Sequence, residues 1–175
     1  MNLRIKIDIP EEEDPPNPFP PEAIEKLETV FEEELPLLCG RLENLGKDAE
    51  VEISVSFLDK VEMRELNKQH RGLDEPTDVL TFPLWEESGG FEPLACASPL
   101  FSLLPLGDIV ICPEETELEH ASMARLEALC LVLAHGFLHL LGWDHDTPEK
   151  EKLMWERQES LKSKLQNAIE RSMST

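Results

Sequence analysis

The stretch Met123–His145, MARLEALCLVLAHGFLHLLGWDH, decides how the rest of the chain is read. Met123, Leu126, Leu129, Leu133, Phe137 and Leu140 recur at helical spacing, and the residues between them are also largely apolar. Such a pattern predicts a helix over 123–141 that is buried on most sides and sits centrally in the fold. Gly142 closes it, as the residue type that most readily takes the left-handed conformation beyond a last helical turn. The longest apolar run, 128–141, contains two histidines and falls short of the roughly 20 apolar residues that cross a bilayer, so no membrane partner is expected.

Downstream, Thr147-Pro148 caps and opens a final helix to about Arg171, with Leu153, Met154, Leu161, Leu165 and Ile169 as its apolar positions. Upstream, Leu3–Ile9 alternates apolar and charged residues and reads as a half-buried strand, not a signal peptide. The proline- and acid-rich segment 10–21 reads as a surface loop. Residues 21–45 have helical spacing with a break or kink expected at Pro36. Val51–Phe57 alternates as a strand, and 58–70 reads as a helix with Val61, Leu66 and Met63 inward. Thr77–Leu84 is a strand, and 86–106 is a long connection carrying Gly89-Gly90. Gly107–Cys112 is a strand, and 113–120 a short acidic helix opened by proline. Helices and strands interleave irregularly, which predicts an α+β fold. With 175 residues, a single domain spanning 1–175 is expected, since domains commonly run to about 100–150 residues.

The net charge is -21, which argues against non-specific binding of polyanions, because that depends on Lys and Arg. The charge is uneven, since 11 of the acidic residues lie between Met1 and Glu34, so it bears on solubility more than on a site. The four cysteines, Cys39, Cys96, Cys112 and Cys130, form no C-x-x-C pair. They read as reduced thiols in a cytoplasmic protein.

Three of the five histidines fall within eleven residues, at His135, His139 and His145. Residues four apart on a helix share a face, so His135 and His139 can hold one metal ion, and the turn at Gly142 lets His145 return to it. Three imidazoles leave one tetrahedral position open, the arrangement of a hydrolytic zinc, whereas structural zinc is usually closed by four ligands. Asp144 and Asp146 are expected to accept from the ring N–H groups. The spacing is also that of metzincin proteases, but Gly136 stands where those enzymes carry a glutamate base. His120 receives no role.

HGFLHLLGWDH, together with Leu66-Asn67, His70-Arg71-Gly72, Pro76–Pro83 (PTDVLTFP) and Leu106–Val110 (LGDIV), resembles the YbeY endoribonuclease family. The resemblance runs in order over about 66–159. It implies a compact domain with a small mixed sheet against helices, and one Zn2+ on His135, His139 and His145. It implies that Arg71 is the functionally important arginine beside the metal, so that Arg71 and His135 serve catalysis. It further implies cleavage of single-stranded RNA, maturation of the 16S rRNA 3′ end, ribosome quality control, and partners in the small subunit or its assembly factors. His70 and Trp143 depart mildly from the family pattern. The connection 86–106 is longer than typical and leaves substrate access open.

Lys60, Arg64, Lys68 and Arg71 form one stripe on a helix. It reads either as a guide for RNA, with Arg64, Lys68 and Arg71 contacting substrate, or as a solvated face balanced by Asp59, Glu62 and Glu65. Arg71 can grip a phosphate with two parallel N–H donors, or pair with Asp74 or Asp78. Two other functions are compatible with the same ligands. One is a zinc peptidase or amidase, which Gly136 argues against. The other is a non-catalytic assembly factor stabilised by zinc, which the open position argues against.

Overall fold

The computed structural model describes residues 3–11, 14–38, 48–84, 86–87, 90–91 and 103–174. Strand β1 (Arg4–Asp8) leads into helix α1 (Ala23–Leu38), strand β2 (Glu50–Phe57) and helix α2 (Lys60–Arg71). Strand β3 (Val79–Pro83), the two-residue strands β4 (Glu86–Glu87) and β5 (Gly90–Phe91), and strand β6 (Leu103–Ile111) follow. Helices α3 (Pro113–Glu119), α4 (Arg125–Leu140) and α5 (Pro148–Met173) complete the order. Four strands form one mixed sheet in the order β1-β2-β6-β3, while β4 and β5 pair with each other. β1, β2 and β6 run parallel and β3 runs antiparallel to β6. The expected α+β architecture, a small mixed sheet against helices with His135 and His139 on a central helix and His145 on the following turn, is the one observed.

The alternating residues of β1 and β2 send Ile5, Ile7, Val51, Ile53, Val55 and Phe57 into the main core, where they meet α1, α4 and α5. Phe31 of α1 stacks on Phe137 of α4 with ring centroids 4.2 Å apart. On β6 the alternation serves two cores. Ile109 and Ile111 face the main one, while Val110 and Cys112 join Met63 and Leu80 under α2. The sheet is therefore covered on both faces at its β6–β3 end, and that end carries the site.

The edge strand β1 shows a use for the acidic N-terminal region. Glu32 and Glu28 of α1 accept hydrogen bonds from the backbone N–H groups of Ile5 and Ile7, both at 2.9 Å. Groups that would otherwise stand open along a sheet edge are thereby covered.

Several expectations change. Pro36 lies inside α1, which continues to Leu38 without a break there; the expected continuation to 45 lies outside the described residues. Val61 is 77% exposed, so α2 buries Met63 and half-buries Leu66 instead. β6 begins at Leu103, not at Gly107. Pro105 and Gly107 argue against a strand by composition, but the register slips beside them, with Glu52 opposite Pro105 and Ile53 opposite Gly107. Gly107 has φ 140°, and a Cβ there would lie 2.3 Å from the Phe82 carbonyl oxygen, so glycine is what lets β3 approach. Within the expected 10–21 surface loop Phe19 is buried, with its ring centroid 6.3 Å from that of Phe57. Cys112 and Cys130 are free and buried; Cys39 and Cys96 lie outside the described residues. Among the described residues no helix is long and apolar enough to cross a membrane.

Candidate metal centre

α4 is apolar enough to be buried almost throughout, so its polar side chains can point only toward a gap in the packing. His135 and His139 do so at its C-terminal end. Their Nε2 atoms lie 3.0 Å apart, and the rings meet edge to face with centroids 4.4 Å apart. Beyond Leu140 the chain reverses through paired bonds: Gly142 N–H donates to His139 O at 3.0 Å, and Trp143 N–H donates to Leu138 O at 3.0 Å. Gly142 sits at φ 87°, the left-handed conformation that this closure needs. The Trp143 indole donates to Leu38 O at 3.1 Å, which ties the turn to the end of α1. The turn brings His145 back, with its ring centroid 5.3 Å from that of His139 and 6.0 Å from that of His135.

One ligand atom from each of the three histidines lies within 4.8 Å of the other two. Among the described residues no fourth ligand joins them. The donor set fits a divalent transition metal. Gln158 Oε1 of α5 lies 2.7 Å from His135 Nδ1; an oxygen acceptor fixes the proton on Nδ1 and leaves the Nε2 lone pair aimed at His139. Burial lowers the basicity of both helix histidines. His139, which also faces His135 and His145, is pushed down to about 4, and His135 is lowered against the opposing pull of Gln158. Both rings are therefore neutral near pH 7, the state that ligates metal. Soft-borderline imidazoles suit zinc, copper, iron or nickel.

The second layer differs from expectation. Asp144 accepts from the His145 backbone N–H at 2.7 Å, and Asp146 pairs with Lys150 at 3.2 Å. Gln158, which lies 23 residues from His135, supplies the ring acceptor instead. No local motif could have revealed it.

Two cavities meet at the histidines. One of about 360 Å³ is lined by the three histidines together with His70, Arg71, Asp78 and Thr81. The other, of about 390 Å³, contains His135 and His145 with Asp78, His120, Met154 and Trp155. Arg71 is exposed and makes no ion pair among the described residues. The two acids considered for it are engaged elsewhere: Asp74 with Arg64 at 2.9 Å, and Asp78 with His120 at 3.0 Å. Arg64 and Lys68 are not brought to the histidines, since they line a separate cavity of about 880 Å³ on α2. Lys60 pairs with Glu115 at 3.3 Å. His120, given no role by sequence, forms a second group with Asp78 and Glu119 whose ligand-type atoms lie within 4.8 Å of one another.

The family model for "Endoribonuclease YbeY" matches residues 22–166. An endoribonuclease YbeY of Thermoanaerobacter sp. strain X514 is 44% identical over 120 residues, 66% of this chain and 74% of that protein. One from Geobacillus thermodenitrificans is 39% identical over 166 residues, 91% of this chain and 95% of that protein. Among solved structures, a Thermotoga maritima protein determined in solution aligns with a TM-score of 0.54 at 28% identity, covering 98% of this chain and 93% of that one.

Proposed function

The chain belongs to the YbeY endoribonuclease family, and from that premise we propose that it is a zinc-dependent endoribonuclease specific for single-stranded RNA. In this reading residues 1–175 act as one cytoplasmic domain in 16S rRNA 3′-end maturation and ribosome quality control, with the small ribosomal subunit or its assembly factors as partners. The observation that carries the reading is a set of three converging imidazoles with no fourth ligand among the described residues, facing a cavity that also holds Arg71.

His135, His139 and His145 would hold one Zn2+, which when bound supplies Lewis-acid polarisation of a phosphoryl oxygen. The protein's own groups do the rest. Gln158 holds the His135 ring in one tautomer. Arg71 offers planar donors to the scissile phosphate and among the described residues has no acid to give up first. His135 serves catalysis through its place in the ligand set. Lys68 and Arg64 take a lesser part, as contacts to the RNA strand beyond the centre, and Arg64 must leave Asp74 to do so. A peptidase of the metzincin type is disfavoured by geometry as well as chemistry, because a Cβ at Gly136 would lie 2.8 Å from Ile109 Cγ2.

The test compares cleavage of a short single-stranded RNA by wild type, Arg71→Ala and His139→Ala, with and without chelator, alongside metal analysis. The reading expects one zinc per chain and cutting abolished by chelator. It also expects Arg71→Ala to keep its metal and fold while losing at least about 10²-fold in rate, the scale of one preorganised charge-stabilising donor. Wild-type protein that holds zinc and leaves RNA intact would reject it.

A further inference from the structure

Gly136 removes the usual proton-transferring glutamate from the ligand motif, and among the described residues no carboxylate joins the three histidines. A proton-transfer group must then come from the walls of the adjoining cavities. Asp78 lines both of them, and His120 shares the 390 Å³ cavity with His135 and His145.

These two side chains are built as a pair. Asp78 is held by the backbone N–H of Val79 at 2.8 Å and by the Thr77 hydroxyl at 3.3 Å, both on Oδ1. Its other oxygen, Oδ2, lies 3.0 Å from His120 Nε2. Of the two His120 tautomers, the one that donates from Nε2 makes this bond to the carboxylate and leaves the lone pair on Nδ1. Nδ1 has no hydrogen-bond partner among the described residues. His120 itself is fixed by its place at the end of α3, where its N–H donates to Thr116 O at 3.1 Å and its carbonyl accepts from Met123 at 2.9 Å. The pair is mostly buried, with 23% and 16% of the side chains exposed. The charged and titratable groups around it are Glu119 and Glu115 on α3, His135 on α4, His145 on the turn, and Glu151 and Glu159 on α5.

We propose that Asp78 and His120 form the proton-transfer dyad of the RNA-cleaving site, with His120 Nδ1 as the base and Asp78 as the residue that positions it. This rests on the endoribonuclease reading above. The water that attacks phosphorus gives its proton to Nδ1 as the new phosphorus–oxygen bond forms. The bond to the leaving sugar oxygen breaks, and that oxygen takes the proton back from Nδ1, so the dyad ends as it began.

The metal-loaded protein and a short single-stranded RNA test this. His120→Gln keeps a donor toward Asp78 but has no base. It should lower kcat by about 10²-fold or more while KM, fold and one metal per chain are unchanged. His120→Ala should lose the same rate and recover part of it with added imidazole. In metal-free protein, nitrogen NMR should find His120 protonated at Nε2 and bare at Nδ1, a preference that Asp78→Asn abolishes. His120→Gln cutting at the wild-type rate would overturn the dyad and leave the endoribonuclease reading standing. A second equivalent of metal in wild type, lost in His120→Gln, would also overturn it and make Asp78, Glu119 and His120 ligands. Wild-type protein unable to cut RNA would overturn both.

Discussion

Gly136→Ala should destabilise the protein, although alanine is the better helix former. Glycine in a helix interior costs about 1 kcal/mol relative to alanine, so an unconstrained site would gain that amount. Here α4 is pressed onto β6. An added Cβ would lie 2.8 Å from Ile109 Cγ2 and 3.2 Å from Cγ1 and Cδ1 of the same side chain. Ile109 is fully buried, and its β-branched stem cannot swing aside as a lysine tip would. Overpacking of this kind costs typically 1–3 kcal/mol, and three close contacts place it in the upper half of that range. The net loss is then about 1–2 kcal/mol, or about 3–6 °C in Tm at this chain length. The assay is urea and thermal unfolding of chelator-treated protein, which keeps metal binding out of the comparison. A double-mutant cycle with Ile109→Ala, which removes the clashing atoms, should show coupling of at least about 1 kcal/mol. A Gly136→Ala protein as stable as the wild type, or a cycle without coupling, would refute the claim that this glycine exists to seat the histidine-bearing helix on the sheet.

Gln158→Leu should weaken metal binding by about 10–100-fold, the usual effect of losing a ring-orienting acceptor, while Gln158→Glu retains it; competition against a metallochromic chelator reads both. In metal-free protein the depressed basicity of His135 and His139 means that the unfolded chain, near 6.5, takes up protons before the folded one. Stability relative to His139→Gln is therefore complete above about pH 6.5 and falls as the pH drops toward the folded value of about 4; equal urea midpoints of the two proteins shifting in parallel across that window would contradict it. Burial pushes the Cys130 thiol up to about 12 and raises that of Cys112, so alkylation at pH 8 followed by mass mapping should leave both unmodified until the protein unfolds.

What the sequence displays well is periodicity along one element. The burial of α4, its closure at Gly142 and the convergence of His135, His139 and His145 are all local consequences of spacing, and all are found in place. What it hides is any contact chosen by the tertiary fold. β6 could not be traced back to Leu103, because Pro105 and Gly107 look like strand breakers until β2 and β3 supply the compensating register shift and close approach. Pro36 reads as a break or kink, and α1 runs through it to Leu38 without ending there. Phe19 sat in a stretch of prolines and acids, and only Phe57, brought alongside, explains why it is buried. At the site, Gln158 and His120 were invisible for the same reason: each acts across elements, one on His135 and the other on Asp78.

The basic stripe of α2 leads to a last expectation, about salt. Four cations in helical register suggest a track for RNA, but Lys60 is paired with Glu115 and Arg64 with Asp74. Among the described residues that leaves Lys68 and Arg71 unpaired, with Arg64 joining them once it leaves Asp74, in a chain whose net charge is -21. Long-range attraction for a polyanion is then absent, and binding depends on close contacts at the candidate metal centre. Each phosphate neutralised on a single strand contributes a slope of about -0.7 to the dependence of log affinity on log salt, so three cations give at most about -2.1. Affinity of a cleavage-resistant single-stranded RNA, followed over a tenfold rise to physiological salt, should therefore decline by no more than about 10²-fold. A steeper slope would mean that the Lys60 pair opens as well, and that the whole stripe carries the RNA.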